Sequence, residues 1–112
     1  MTIRLPAHLE VSSLIRRASA AGGFAAVLYK GERDAGTILV VLVQNGANAR
    51  LFERMPQLDG TRKWICTRQE HPENKQDFAD YLDRRTARDA DLWLVELDVA
   101  DGERLIGTGD DC

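Results

Sequence analysis

Residues 37–44 read Thr37-Ile38-Leu39-Val40-Val41-Leu42-Val43-Gln44, and this stretch decides the fold. Side chains of a strand alternate between its two faces, so a strand with apolar residues at both parities has no face for water. It belongs in the middle of a sheet covered on both sides. At six residues, the apolar run Ile38–Val43 is far short of the roughly 20 needed to span a bilayer as a helix. Upstream, Phe24 to Lys30 reads as a strand with Ala25, Val27 and Tyr29 alternating against Phe24, Ala26 and Leu28, and residues 31–36 turn the chain into the central strand. Downstream, Asn45-Gly46 supplies a turn tolerant of positive φ. A third strand follows over 48–54, then a Pro56…Asp59-Gly60 loop and a fourth strand over 62–68.

Helices flank this meander. In residues 7–21, Val11, Leu14, Ile15, Ala18 and Ala21 recur at helical spacing, with Arg16 and Arg17 opposite. Pro6 suits a helix start, and Gly22-Gly23 suits its stop; Ser12 or Ser13 is an alternative cap for a shorter helix. The second helix has Pro72 near its start, Glu73, Asp77 and Asp80 in its early turns, and Arg84, Arg85 and Arg88 at its end, matching the helix dipole. Phe78, Tyr81 and Leu82 form its apolar stripe, and Leu92–Val99 follows as a fifth strand. The order helix, four strands, helix, strand predicts an α+β fold. Its sheet is five-stranded and mainly antiparallel: a four-strand meander that takes a fifth strand after a helix. The two main helices are expected on opposite faces. Residues 1–112 form a single domain, with a turn and a flexible acidic tail at about 107–112.

Composition bounds the function. Of the 112 residues, 44% are hydrophobic and 29% charged, ordinary values for a globular domain. The charge is unevenly spread: residues 1–68 carry 10 basic and 5 acidic side chains, and residues 69–112 carry 5 and 13. Cys66 and Cys112 show no Cys-x-x-Cys spacing and read as separate reduced thiols. Met1–Glu10 lacks the apolar core of a secretory signal, so the expected location is cytoplasmic, with no membrane association.

The candidate site is the basic, aromatic hairpin. Its even positions are Asn48, Arg50, Phe52, Arg54, Arg62, Trp64, Cys66 and Arg68, which share a face if the strands are regular. Arginine is almost never fully buried without a partner, so this set is expected to face water and carry Phe52 and Trp64 with it. The resulting surface would use Arg50, Arg54, Arg62 and Arg68 for charge and Phe52 and Trp64 for contact area, binding an acidic protein or a phosphate-bearing partner. The competing reading packs Trp64 under the second helix and leaves the arginines as a rim, and a bulge would break the parity. Nucleic acid is disfavoured by the net charge of −3. A homo-oligomer in which the basic hairpin meets the acidic half of a second copy is a further expectation.

An enzymatic alternative rests on Glu96 and Asp98, which share a face of the fifth strand and could hold Mg²⁺ in a metal-assisted phosphoester hydrolase. No lysine lies two residues beyond Glu96 and no histidine is near, so that constellation is incomplete. His8 and His71 have no metal-ligand spacing, and the sequence has no nucleophile elbow, P-loop or Gly-x-Gly-x-x-Gly. The expectation is a non-catalytic module with no cofactor and no metal.

Four segments carry a resemblance. Leu14-Ile15-Arg16-Arg17, Asp34-Ala35-Gly36-Thr37-Ile38-Leu39-Val40, Asn48-Ala49-Arg50-Leu51-Phe52 and Asp89-Ala90-Asp91-Leu92-Trp93-Leu94-Val95-Glu96 together resemble the bacterial domain-of-unknown-function family 1491. Members of that family often carry proline where this chain has Ala90. The resemblance implies a bacterial, cytoplasmic setting and assigns no catalytic residues.

Overall fold

The computed structural model describes residues 5–108 and 112. Its elements, in chain order, are α1 (Ala7–Ala20), β1 (Phe24–Tyr29), β2 (Ile38–Gln44), β3 (Ala47–Pro56), β4 (Arg62–Gln69), α2 (Lys75–Arg88), β5 (Trp93–Asp98) and α3 (Gly102–Ile106). The fold is α+β, as the pattern of elements predicts. The sheet is mixed but mostly antiparallel, in the order β1-β5-β2-β3-β4, with β5 parallel to β2.

The strand β2 is central, as its two-sided apolar pattern requires. Every residue from Ile38 to Val43 is buried. Ile38, Val40 and Leu42 enter one core with Val11, Leu14 and Ala18 of α1 and Ile106 of α3. Leu39, Val41 and Val43 enter a second core with Phe78 of α2. The three layers are therefore α1 and α3, the sheet, and α2.

Strand order departs from expectation in one respect. The antiparallel meander runs only from β2 to β4, because β5 inserts between β1 and β2. Burial follows this order: β5 is buried apart from the half-buried Glu96 and Asp98, whereas Phe24, Ala26, Val27 and Leu28 of β1 are exposed at the edge. The 31–37 connection must then cross the start of β5. Glu32 donates its N–H to Asp91 O at 2.8 Å, Trp93 donates its backbone N–H to Thr37 O at 2.8 Å, and the Trp93 indole donates to Glu32 O at 2.6 Å. The same connection holds the start of α1, since the Ala7 and His8 amides donate to Asp34 O and Arg33 O. These two donors would otherwise lack partners at a helix N-terminus.

The chain after β5 also differs from the expected turn and tail. Residues 102–106 form α3, packed so closely that a Cβ on Gly102 would come within 2.9 Å of the Leu42 side chain. Gly107, at φ +82°, ends the helix in the left-handed conformation. The flexible tail expected over 107–112 falls in part on 109–111, outside the described residues. Thr108 is buried, donates its hydroxyl to Trp64 O at 2.8 Å, and so returns the chain to β4. The reading of two separate thiols is corrected here: Cys66 and Cys112 form a disulfide, with Cα atoms 5.4 Å apart. The return of the C-terminal segment to β4 is what brings them within disulfide range.

Candidate functional site

The face carrying Arg50, Phe52, Arg54 and Trp64 is not the water face. Phe52 is wholly buried in the core under α1, and Trp64 is half-buried against that core rather than under α2. The arginines do obey the burial rule, because each finds a partner. Arg50 pairs with Glu103 of α3, and Arg54 pairs with Glu10 of α1. The Arg54 guanidinium also lies over the Trp64 ring, 4.7 Å from its centroid. Sequence parity kept these residues together correctly but assigned them to solvent, because it omitted the helix α3 and the acidic groups of α1 and α3 that cover them. Gly107 immediately after Ile106 was the available signal for α3.

Arg68 lies on the opposite face. Leu51 pairs with Arg68 but Phe52 pairs with Cys66, so Thr67 is an extra residue in β4 and the parity flips there. Arg68 instead reaches Asp77 of α2 at 3.3 Å and stacks over the Tyr81 ring at 3.8 Å from its centroid. Beside it, Glu53 accepts from Arg85 at 2.9 Å and from the Thr67 hydroxyl at 2.6 Å, while Arg85 also donates to the Tyr81 hydroxyl at 3.0 Å. Burial raises the Glu53 pKa, but the Arg85 and Thr67 hydrogen bonds outweigh it and hold the carboxyl below its ordinary value. Arg85 is raised in turn, chiefly by its bond to Glu53. Both Glu53 oxygens are occupied, so this cluster fastens α2 to the β3–β4 pair.

Glu96 and Asp98 share the α2-side face, as expected from their spacing. The Asp98 carboxylate is already engaged: its two oxygens accept the Asn45 and Gly46 amides at 2.8 and 3.0 Å. Asn45 and Gly46 both have positive φ, and Asp98 clamps the tight turn they form between β2 and β3. Among the described residues no group of three His, Cys, Asp or Glu side chains is placed to hold a metal ion, and no helix is long and apolar enough to cross a membrane. His8 and His71 serve loops: His8 Nδ1 lies 3.0 Å from Arg33 O, and His71 Nδ1 accepts the Glu73 amide at 3.2 Å.

Two of the six sequence-predicted site residues meet at a concavity. A cleft of about 280 Å³ opens between the first turn of α1, the 34–37 segment and the outer half of the hairpin, and Arg54 and Arg62 line it together. Glu10 and Asp34 also line it, so its charge is mixed, and Leu5 and Ile38 give it an apolar component. Geometry of this kind suits one end of an extended, acidic segment: two guanidinium groups for carboxylate or phosphate oxygens, next to a loop backbone. Arg50, Phe52, Trp64 and Arg68 lie outside the cleft lining.

A family model described as a protein of unknown function, DUF1491, matches residues 5–107. Three solved structures are similar over nearly the whole chain. A crystal structure of a DUF1491 family protein from Caulobacter crescentus is 33% identical with a TM-score of 0.78, covering 96% of this chain and 100% of that one. An NMR structure of a DUF1491 family protein from the same organism is 33% identical with a TM-score of 0.77, covering 99% and 100%. The solution structure of protein Atu0922 from A. tumefaciens is 32% identical with a TM-score of 0.76, covering 98% of each chain. No curated protein matches the chain.

Proposed function

Since the chain belongs to the DUF1491 family, whose description assigns no activity, we propose from its own geometry that it is a non-catalytic binding module for an acidic segment of a protein partner. The observation that carries this reading is the convergence of Arg54 and Arg62 on one cleft beside the 34–37 backbone. Arg62 supplies the charge at the rim. Arg54, seated between Glu10 and the Trp64 ring, supplies a pre-positioned second guanidinium. An acidic ligand would compete with Glu10 for Arg54 and with the interaction Arg62 already makes, so binding is weak, reversible and sensitive to salt. Arg50 and Phe52 support the α1-side face of the sheet rather than touching the ligand, and Arg68 lies on the opposite face against α2. The engagement of both Asp98 oxygens by the turn amides, with no third acidic or histidine ligand grouped with Glu96 and Asp98 among the described residues, disfavours the hydrolase alternative.

A titration of ¹⁵N-labelled protein with a Glu-rich peptide, and separately with inorganic phosphate, tests the proposal. The peptide should shift the amides of Ala35, Gly36 and Thr37, and Arg62→Ala or raised salt should abolish the response. Unmoved amides up to about 5 mM peptide, the weak limit of specific binding, would refute it. A response to phosphate alone would reassign the ligand to a phosphate-bearing group.

A further inference from the structure

The two edges of the sheet are built differently. β4 carries Arg62, Lys63, Arg68 and Gln69, and the C-terminal segment returns to it through Thr108 and Cys112. Charge and covering chain are the usual ways of keeping an edge from pairing. β1, Phe24-Ala25-Ala26-Val27-Leu28-Tyr29, is the other edge and has no charged residue. Phe24 is 77% exposed, Leu28 49% and Val27 41%. An edge of this composition is a template for strand addition.

We propose that β1 pairs antiparallel with β1 of a second copy, making one continuous sheet across a two-fold axis at Ala26. The faces fix the register. Phe24 pairs with Asp98 and Ala26 with Glu96, the parity of β5 that also holds Leu94 in the α2-side core, so Phe24 and Ala26 face the α2 side. Ala25 pairs with Leu97 and Val27 with Val95, on the α1 side. Residues directly opposite each other across an antiparallel pair must share a face. Centring on Ala26 satisfies this: Ala26 meets its own copy, Ala25 meets Val27, and Phe24 meets Leu28.

The last of these pairs supplies the specific argument. The ladder is irregular between Val27 and Tyr29, and Leu28 and Tyr29 together line a cleft of about 220 Å³ with Leu82, Asp83, Thr86 and Leu94. In this register the exposed Phe24 ring of one copy lies opposite Leu28 of the other, at the mouth of that cleft. An apolar cavity of about 150 Å³ already accommodates a benzene ring. The two-fold axis makes the insertion reciprocal, with the same patch on both copies. Glu96 does not oppose it. With strands about 4.8 Å apart, the two Glu96 positions are three strand spacings, roughly 14 Å, from each other, beyond the screening length of about 8–10 Å.

The contact is small, at the low end of specific interfaces, below about 1,200 Å². Sedimentation velocity of the full chain should therefore show mass moving from one chain toward two between about 10 and 500 µM, a range set by micromolar affinity. Raising the salt should leave this unchanged. Phe24→Asp, at an exposed position, should hold the protein monomeric over the whole range, and Val27→Lys should do the same should the first variant fold poorly. Ala26→Cys should cross-link to itself on mild oxidation, whereas a control at Ser13→Cys should not. A wild-type chain that stays monomeric at 500 µM overturns the proposal. So does a dimer that survives Phe24→Asp, or one that salt dissolves, which would point to pairing of the basic and acidic halves instead.

Discussion

Replacing Glu53 by Gln tests the junction between α2 and the β3–β4 pair. The carboxylate accepts from Arg85 at 2.9 Å and from Thr67 at 2.6 Å, with the Glu53 side chain 13% exposed and that of Arg85 26%. A hydrogen bond to a charged group contributes about 1.5–3 kcal/mol when well buried. An exposed ion pair contributes only about 0.2–1 kcal/mol. The junction lies between these limits, and Gln keeps the volume and one acceptor, so the expected loss is about 1–2 kcal/mol at pH 7. For a domain of this size that lowers Tm by about 4–8 °C. The pH dependence follows from the depressed carboxyl. Its folded pKa lies below the ordinary 4.5, so the unfolded chain binds the proton more readily. The stabilisation is fully present above 4.5 and is lost as the pH falls through the folded value. Urea unfolding followed by tryptophan fluorescence at pH 7 and near pH 3 measures both. The gap between wild type and Glu53→Gln should narrow on acidification. A gap of the same size at both pH values, or none at pH 7, would refute the assignment of Glu53 as an ionised fastener.

Phe52→Ala removes a wholly buried ring from the α1-side core and should cost about 3–5 kcal/mol by denaturant unfolding, whereas a surface phenylalanine would cost almost nothing. Asp98→Ala removes both acceptors of the β2–β3 turn amides and should cost about 1 kcal/mol, with faster hydrogen exchange at Asn45 and Gly46. Cys112→Ser opens a loop whose cysteines are 46 residues apart and should lower stability by about 2–4 kcal/mol under oxidising conditions, and change little in the presence of a thiol reductant.

The elements that could be read from the sequence are those whose evidence is local. The double-sided apolar run of β2, the Asn45-Gly46 turn and the stripe of Val11, Leu14 and Ala18 each report their environment within a few residues. What escaped depends on distant chain. The insertion of β5 between β1 and β2 pairs residues such as Val40 and Val95, and the uniformly apolar β1 gives no local sign that it is an edge. The candidate site was half legible for the same reason. Alternation grouped Arg50, Phe52 and Arg54 on one face, but the arginines are covered through Glu103 and Glu10 and Phe52 through the apolar stripe of α1, all far away in sequence. One additional residue, Thr67, was enough to send Arg68 to the other side.

One topological fact underlies both proposed surfaces. Because β5 runs parallel to β2 and lies between it and β1, β1 is pushed to an edge, and the chain from β1 to β2 must pass over the start of β5. That passage is the 31–37 segment, which forms one wall of the Arg54–Arg62 cleft and is anchored by Trp93 through both its backbone and its indole. The two surfaces lie in different parts of the sheet and should be separable. Trp93→Phe keeps an aromatic ring in the core but loses the 2.6 Å bond to Glu32 O. It should broaden or shift the amides of 31–37 and weaken the response to an acidic peptide, while dimerisation through β1 is unchanged. Loss of dimerisation in a folded Trp93→Phe variant would mean that the edge and the cleft are one coupled surface, contrary to the geometry in which Phe24 and Leu28 stand apart from the cleft lining.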